Sequence, residues 1–198
     1  MRNSIFLLFF ISAAITTFVI SCENNKTATA ATTTAISTIS NDSLIKRGSY
    51  LVNAIGCDDC HSPKRMGPHE PEIIPELRFS GYPSNRPIAP VDTNVIKNGW
   101  MMFGPDLTSA VGPWGMSFAA NISSDDTGIG AWSEKQFIKA LREGKSKGLD
   151  GARNLLPPMP WFVYKNFNDD DIRSIFAYLK STKPVENIVP APKLFSDL

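Results

Sequence analysis

The chain has 198 residues and a formal net charge of +1, from 20 basic and 19 acidic side chains. This length suits one domain of common size with additional segments, and the near-neutral charge gives no support for a nucleic-acid partner. The three cysteines and two histidines limit the disulfides and metal sites that the chain can form.

The N-terminus has the pattern of a bacterial export signal. Arg2 precedes an uncharged apolar run, Ile5–Ile20, that is short for a membrane-spanning helix. The run ends at Val19-Ile20-Ser21-Cys22, which resembles a lipobox, in which the cysteine receives lipid. We expect a signal peptide at residues 1–21 and a lipid anchor on Cys22, with an uncleaved transmembrane anchor as the alternative.

A segment rich in Thr, Ala and Ser follows the cysteine. Residues 22–41 show no apolar periodicity, which predicts a flexible tether between the lipid and a domain at residues 42–198. The protein is therefore expected outside the cytoplasm, on the periplasmic side of a bacterial membrane. Glu23 does not obviously retain it at the inner membrane, which favours the outer membrane.

The first predicted helix starts at Asn41, Asp42 or Ser43, any of which can cap it, and continues to Ile55. Gly56 is expected to end this helix directly before the chemically most informative motif of the chain.

That motif is Cys57-Asp58-Asp59-Cys60-His61, the pattern that attaches c-type haem. On a helix, Cys57, Cys60 and His61 share one face. The two thiols can form thioether bonds to the haem vinyl groups, and His61 can then be an axial ligand of the iron.

Two other interpretations of the motif remain open at this point. One is a redox-active disulfide, although no βαβ pattern surrounds the two cysteines. The other is a zinc site that includes His69, but adjacent Cys60 and His61 are an awkward pair of ligands for one tetrahedral ion.

The segment from Ser62 to Ala131 is long and rich in proline and glycine. It also contains large apolar side chains, which is unusual for a solvated loop. We expect a lid that shields the edge of the haem from water, and the alternatives are a docking surface or a small ligand pocket.

Two more helices are predicted after this segment. One starts at Ser133, with Gln136 as its capping-box partner, and ends at Gly144. The other is capped by Asn168 and has the apolar stripe of a helix that packs on a core. Its apolar residues are Ile172, Ile175, Phe176 and Leu179.

The loop between these helices contains the best candidate for a second axial ligand. Met159 lies between Pro158 and Pro160, and prolines reduce the entropy that the loop loses on ordering. A thioether ligand raises the reduction potential of a haem. Other methionines and His69 are competing candidates; these methionines are Met66, Met101, Met102 and Met116.

The order of these motifs resembles class I cytochromes c, and more narrowly exported monohaem cytochromes c similar to the cytochrome subunits of bacterial alcohol and aldehyde dehydrogenases. The resemblance covers residues 44–190. Besides the haem motif, it rests on Leu156-Pro157-Pro158-Met159-Pro160-Trp161, Ala119-Ala120-Asn121-Ile122 and Thr127-Gly128-Ile129-Gly130-Ala131-Trp132.

The resemblance implies an all-α class I cytochrome c fold, with three main helices around one covalently bound haem c and a long Pro/Gly-rich insertion before the second helix. Cys57 and Cys60 would carry the thioether bonds, and His61 and Met159 would be the axial ligands. Gly48 would pack near Tyr178 or Phe176, and the carbonyl of Pro68, or else Pro63, would accept a hydrogen bond from His61.

The function implied is single-electron transfer in an extracytoplasmic respiratory chain, without enzymatic activity of its own. The partners would be redox proteins such as a dehydrogenase, a reductase or a terminal oxidase, and the membrane through the lipid on Cys22. One alternative is a tightly held haem subunit of a dehydrogenase or reductase complex. A second alternative is a haem sensor or peroxidase with a labile sixth ligand.

Overall fold

The structure, a computed structural model, describes residues 40–198. The expected signal peptide, Cys22 and nearly all of the expected tether lie outside these residues. Among residues 40–198, none of the helices has the length and apolar character needed to cross a membrane.

Within residues 40–198, six α-helices form the helical part of the domain. They are α1 (Asn41–Ala54), α2 (Cys57–His61), α3 (Thr93–Lys97), α4 (Glu134–Glu143), α5 (Trp161–Tyr164) and α6 (Asp169–Ser181).

The three long helices agree with the three that the sequence predicts. Ser40, one residue before the predicted caps, caps α1 by accepting a hydrogen bond from the Ser43 amide. The capping box of Ser133 and Gln136 starts α4, and Asn168 caps α6. These caps satisfy amides that the first turn of a helix leaves unpaired.

The main core lies where α1, α4 and α6 meet. Its buried side chains come from α1, α4 and α6, joined by Phe79 and Ile129. Gly48 of α1 lies against α6: a Cβ atom on Gly48 would collide with the Ser174 carbonyl and lie 2.7 Å from Cβ of Tyr178. The expected contact of Gly48 with Tyr178 is therefore confirmed.

The insertion contains strands, so the prediction of an all-α domain is not confirmed. An antiparallel pair is formed by β1 (Lys64–Met66) and β2 (Pro71–Ile73). A three-stranded antiparallel sheet has the order β3 (Met102–Phe103), β4 (Ser109–Gly112) and β5 (Gly115–Phe118). A second, smaller core of Ile96, Val111 and Met116 packs beside this sheet.

The C-terminal segment, residues 182–198, runs back across the insertion after α6. Lys193 exchanges two backbone hydrogen bonds with Met116 of β5, and Phe195 and Leu198 pack on the smaller core. The insertion is thus joined to the helical part of the domain at both its own ends and through this segment.

Candidate haem site

The haem motif forms a separate short helix because Gly56 interrupts the chain before it. Gly56 has a positive φ of 71°, a left-handed conformation that favours glycine, and it separates α1 from α2. The five residues of the motif are helix α2, and Cys57, Cys60 and His61 all line one cavity. The motif therefore has the shared face that its spacing predicts.

This cavity has a volume of about 660 Å³, within the range of cofactor sites in proteins. Its walls are mostly apolar. They come from the end of α1 with α2, from β4 and β5 with residues 119–122, from the α4 region, from the loop that carries Met159, and from residues 188–192. Tyr164, Phe167 and two side chains of α6, Ile175 and Leu179, also contribute to the lining. Part of the insertion is therefore a wall of this cavity, as a lid over the haem would be.

Met159 is the methionine that lines this cavity. Met66, Met102 and Met116 line a different cavity of about 480 Å³ inside the insertion, and Met101 is half exposed. His69, the other candidate axial ligand, lies on an exposed turn and not in the cavity wall. Within residues 40–198, the structure thus brings Met159 and His61 to one cavity and keeps the competing side chains out of it.

A hydrogen bond to a backbone carbonyl orients the ring of His61. Nδ1 of His61 lies 2.7 Å from the Ala120 carbonyl oxygen. Because a carbonyl can only accept, Nδ1 carries the proton and Nε2 keeps its lone pair free for a metal. The expectation that Pro68 or Pro63 supplies this carbonyl is wrong: the Pro63 carbonyl accepts from the Ile74 amide, and the insertion reaches His61 through Ala120.

Burial favours the uncharged forms of the two thiols and of the imidazole in the motif. Burial, reinforced by the Asp58 carboxylate, raises the pKa of Cys57 to about 12, and burial also raises the pKa of Cys60. Burial lowers the pKa of His61, so its imidazole is neutral at physiological pH. A neutral imidazole is the form that binds a metal ion.

A network behind the cavity holds α2. The carboxylate of Asp58 is buried and forms a bidentate ion pair with Arg78. Nη2 of Arg78 donates to Oδ2 at 2.6 Å, and Nε donates to Oδ1 at 3.0 Å. Ser62 donates to Oδ1 of Asp58 at 2.6 Å and accepts from the Phe79 amide. A charged, bidentate pair with further hydrogen bonds fixes geometry well.

Lys64 adds a second support to the C-terminal end of α2. Its ammonium lies near four backbone carbonyl oxygens: those of Asp59 at 2.7 Å, Asp58 and Ser62 at 3.0 Å, and Asp106 at 3.3 Å. A positive charge near the C-terminal carbonyls of a helix is favourable, because it complements the negative end of the helix dipole.

The loop with Met159 is anchored at three places. The Leu155 amide donates to the Gly144 carbonyl at 2.6 Å, and the Met159 amide donates to the Leu156 carbonyl at 3.2 Å. Ser117 of β5 donates to the Pro157 carbonyl at 2.6 Å. The backbone that precedes Met159 is therefore held by the end of α4 and by the insertion.

The residues present fit a covalently bound haem. The donor set has two thiols, one neutral imidazole with its Nε2 free and one thioether, which are the side chains that hold c-type haem. They line a cavity of suitable size with apolar walls. Among residues 40–198, no three Cys, His, Asp or Glu side chains come together as ligands of a separate metal ion.

The sequence did not point to Ala120, Ser117 or Lys64 as supports of the site. Ala120 acts through its carbonyl, which the residue type does not reveal, and its partner His61 is 59 positions away. The only signal was the stretch Ala119-Ala120-Asn121-Ile122, which carried part of the family resemblance.

No protein-family model matches the chain. Comparison with known proteins gives several relatives. The chain is 31% identical to the fructose dehydrogenase cytochrome subunit of Gluconobacter japonicus over 151 residues. This aligned stretch covers 75% of this chain and 23% of that protein. It is 32% identical over 139 residues to the gluconate 2-dehydrogenase cytochrome c subunit of Pantoea cypripedii, which is 70% of this chain and 23% of that protein.

A third relative is the cytochrome c subunit of the quinone alcohol dehydrogenase of Gluconobacter oxydans, at 29% identity over 155 residues, which is 77% of this chain and 24% of that protein. The chain thus spans less than a quarter of the length of these three relatives. Over most of its own length, the chain is a relative of the cytochrome c subunits of bacterial dehydrogenases.

Proposed function

We propose that this chain is an electron-transfer protein with one haem c, bound through Cys57 and Cys60 and ligated by His61 and Met159. The observation that carries the proposal is that these four side chains, from two distant parts of the sequence, line one apolar cavity. When bound, the haem supplies an iron that gains and loses a single electron.

The side chains of the chain have separate roles in this proposal. Cys57 and Cys60 fix the haem in place. The Ala120 carbonyl fixes the tautomer and the orientation of His61, so that Nε2 is the ligating atom. Met159 would be the second protein ligand of the iron and would keep other molecules away from it, while the apolar walls would exclude water. Exclusion of water and a thioether ligand both act on the reduction potential.

The relatives bear on the choice between a free carrier and a component of a complex. They are named as cytochrome subunits of dehydrogenases, in agreement with an electron-transfer role and not a catalytic one. Their names favour the alternative in which the domain works within a dehydrogenase complex. We therefore propose a dehydrogenase as the partner that supplies electrons, in a respiratory chain outside the cytoplasm, with the lipid on Cys22 as the membrane anchor.

The experiment that tests the axial ligands is spectroscopy of the haem-loaded protein. We expect a low-spin c-type spectrum in the ferrous state and a methionine–iron charge-transfer band in the ferric state. Met159→Ala should abolish that band, whereas Met66→Ala should leave it intact, since Met66 is 76% exposed and lines the other cavity. An unchanged band in Met159→Ala would refute the ligand assignment.

Two further readouts separate the remaining alternatives. Haem that stays with the wild-type chain in acidic organic solvent, and leaves a Cys57→Ala/Cys60→Ala variant, would support the covalent attachment. Carbon monoxide should not bind the resting ferrous protein at moderate concentration, because Met159 occupies the sixth position. Ready binding would instead favour the sensor or peroxidase alternative.

A further inference from the structure

The hydroxyl of Ser117 connects the insertion to the loop of Met159. Ser117 is buried in the middle of the β4–β5 hairpin, opposite Ala110. Its Oγ lies 2.6 Å from the carbonyl oxygen of Pro157, two residues before Met159. The Met159 amide donates to the Leu156 carbonyl and so closes a turn, and Pro157 lies within this turn.

The direction of this hydrogen bond follows from the other contacts of the hydroxyl. Nε1 of Trp114 donates to Oγ of Ser117 at 3.2 Å, so Oγ accepts from the indole and its own single proton is free to be donated. The Ala110 carbonyl is much farther from Oγ than the Pro157 carbonyl, at 3.4 Å. The proton is therefore directed at Pro157.

The strand that carries Ser117 is fixed on both edges. On one edge, β5 pairs with β4, and on the other, Met116 exchanges two hydrogen bonds of 2.9 and 3.0 Å with Lys193. The same stretch of chain continues to Ala120, whose carbonyl holds His61. One segment of the insertion therefore contacts both the histidine and the loop of the methionine.

We propose that Ser117 is a positioning residue for the distal ligand, and that its hydroxyl holds the Met159 loop closed against the haem. This inference rests on the proposed His/Met ligation. The loop in its open state would leave the sixth position free, and the hydrogen bond to Pro157 lowers the population of that state. The insertion would thus set the strength of the methionine–iron bond, beyond forming a wall of the cavity.

The test is the binding of imidazole to the ferric haem protein, because imidazole enters only where Met159 has left the iron. The apparent affinity of such a probe follows the population of the open state. A net contribution typical of one hydrogen bond corresponds to about a threefold to tenfold change in that population. We therefore expect Ser117→Ala to raise the apparent imidazole affinity by about threefold to tenfold.

Ser174→Ala is the matched control. Ser174 is also buried and donates its hydroxyl to a backbone carbonyl, that of Asp170 at 2.7 Å, but it lies in α6 and does not line the cavity. Its loss should lower the thermal stability without changing the imidazole affinity by more than about twofold. If Ser117→Ala does not fold, Ser117→Cys replaces it, since a thiol has similar volume and is a weak donor.

The outcomes separate this inference from the proposed function. If the wild-type protein lacks the methionine–iron band, His/Met ligation is wrong and the role of Ser117 is wrong with it. If the band is present and Ser117→Ala binds imidazole as Ser174→Ala does, only the role of Ser117 is overturned.

Discussion

Lys64 shows how a residue outside the haem motif can determine the geometry of the motif. Its ammonium has three protons and four carbonyl oxygens within 3.3 Å, three of them in or next to α2 and the fourth in the insertion at Asp106. Three of these carbonyls lie where a five-residue helix ends, so the positive charge complements the C-terminal end of the helix dipole, although the Asp58 carbonyl also accepts from the Ser62 amide. Lys64 therefore stabilises a helix that is too short to be stable by itself.

Replacement of Lys64 by methionine should destabilise the domain. Methionine has similar length but no donor, and a hydrogen bond from a charged group contributes about 1.5–3 kcal/mol, so we expect a loss of about 2 kcal/mol in the free energy of unfolding. Urea unfolding of the haem-loaded protein measures this loss. Lys97→Met, at an exposed position of α3, is the control. Equal unfolding midpoints for the two variants would show that the carbonyl contacts of Lys64 contribute no net stability.

At the scale of elements, the long helices could be predicted because their signals are local. Ser133 and Gln136 form both hydrogen bonds of the capping box, and Asn168 accepts from the Asp171 amide at 2.7 Å. These contacts span three residues, so the sequence pattern contains all of the information. The predicted cap of α1 differs by one residue from the observed one, Ser40 and not Asn41, because several neighbouring side chains can act as caps.

The strands of the insertion could not be predicted in the same way. They are two to four residues long, too short for an alternation of apolar and polar side chains to stand out. Their partners are also distant, as in the pairing of Met116 with Lys193. The same limit applies to the site: Cys57, Cys60 and His61 form a local pattern, whereas the contact between His61 and Ala120 depends on the path of the insertion.

The packing of α1 on α6 supplies a prediction at this scale. In an exposed helix, Gly→Ala stabilises by about 0.5–1 kcal/mol. At Gly48 the new Cβ would collide with the Ser174 carbonyl of α6, and overpacking typically costs about 1–3 kcal/mol. We therefore expect Gly48→Ala to lower the melting temperature, while Lys46→Ala, exposed on the same helix, should not. A higher melting temperature for Gly48→Ala would contradict the close crossing of the helices.

At the scale of the whole molecule, the C-terminal segment joins parts of the domain that are far apart in sequence. Asn187 is buried, and its amide donates to the carbonyls of Ser80 at 2.7 Å and Tyr82 at 2.9 Å. Its side-chain oxygen accepts from the Ser84 amide at 2.9 Å, and its backbone amide donates to Thr127 at 2.9 Å. The residues that follow, 188–192, line the haem cavity. One asparagine therefore connects two parts of the insertion to a wall of the site.

Replacement of Asn187 by alanine tests this connection. The variant would leave two carbonyls and one amide without partners in a buried place, at a cost of about 1–3 kcal/mol for each group that water does not reach. We expect a loss of at least about 3 kcal/mol in the free energy of unfolding, together with faster hydrogen exchange of the Lys193 amide, which donates to the Met116 carbonyl. Asn166→Ala, at an exposed asparagine with a single local hydrogen bond, is the control.

The haem gives a second readout for Asn187→Ala. The methionine–iron band should persist, since Met159 lies in a different part of the cavity wall. The reduction potential should shift, because the loosened segment lets water reach the haem. Unchanged exchange of the Lys193 amide would mean that contacts other than those of Asn187 hold the C-terminal segment in place.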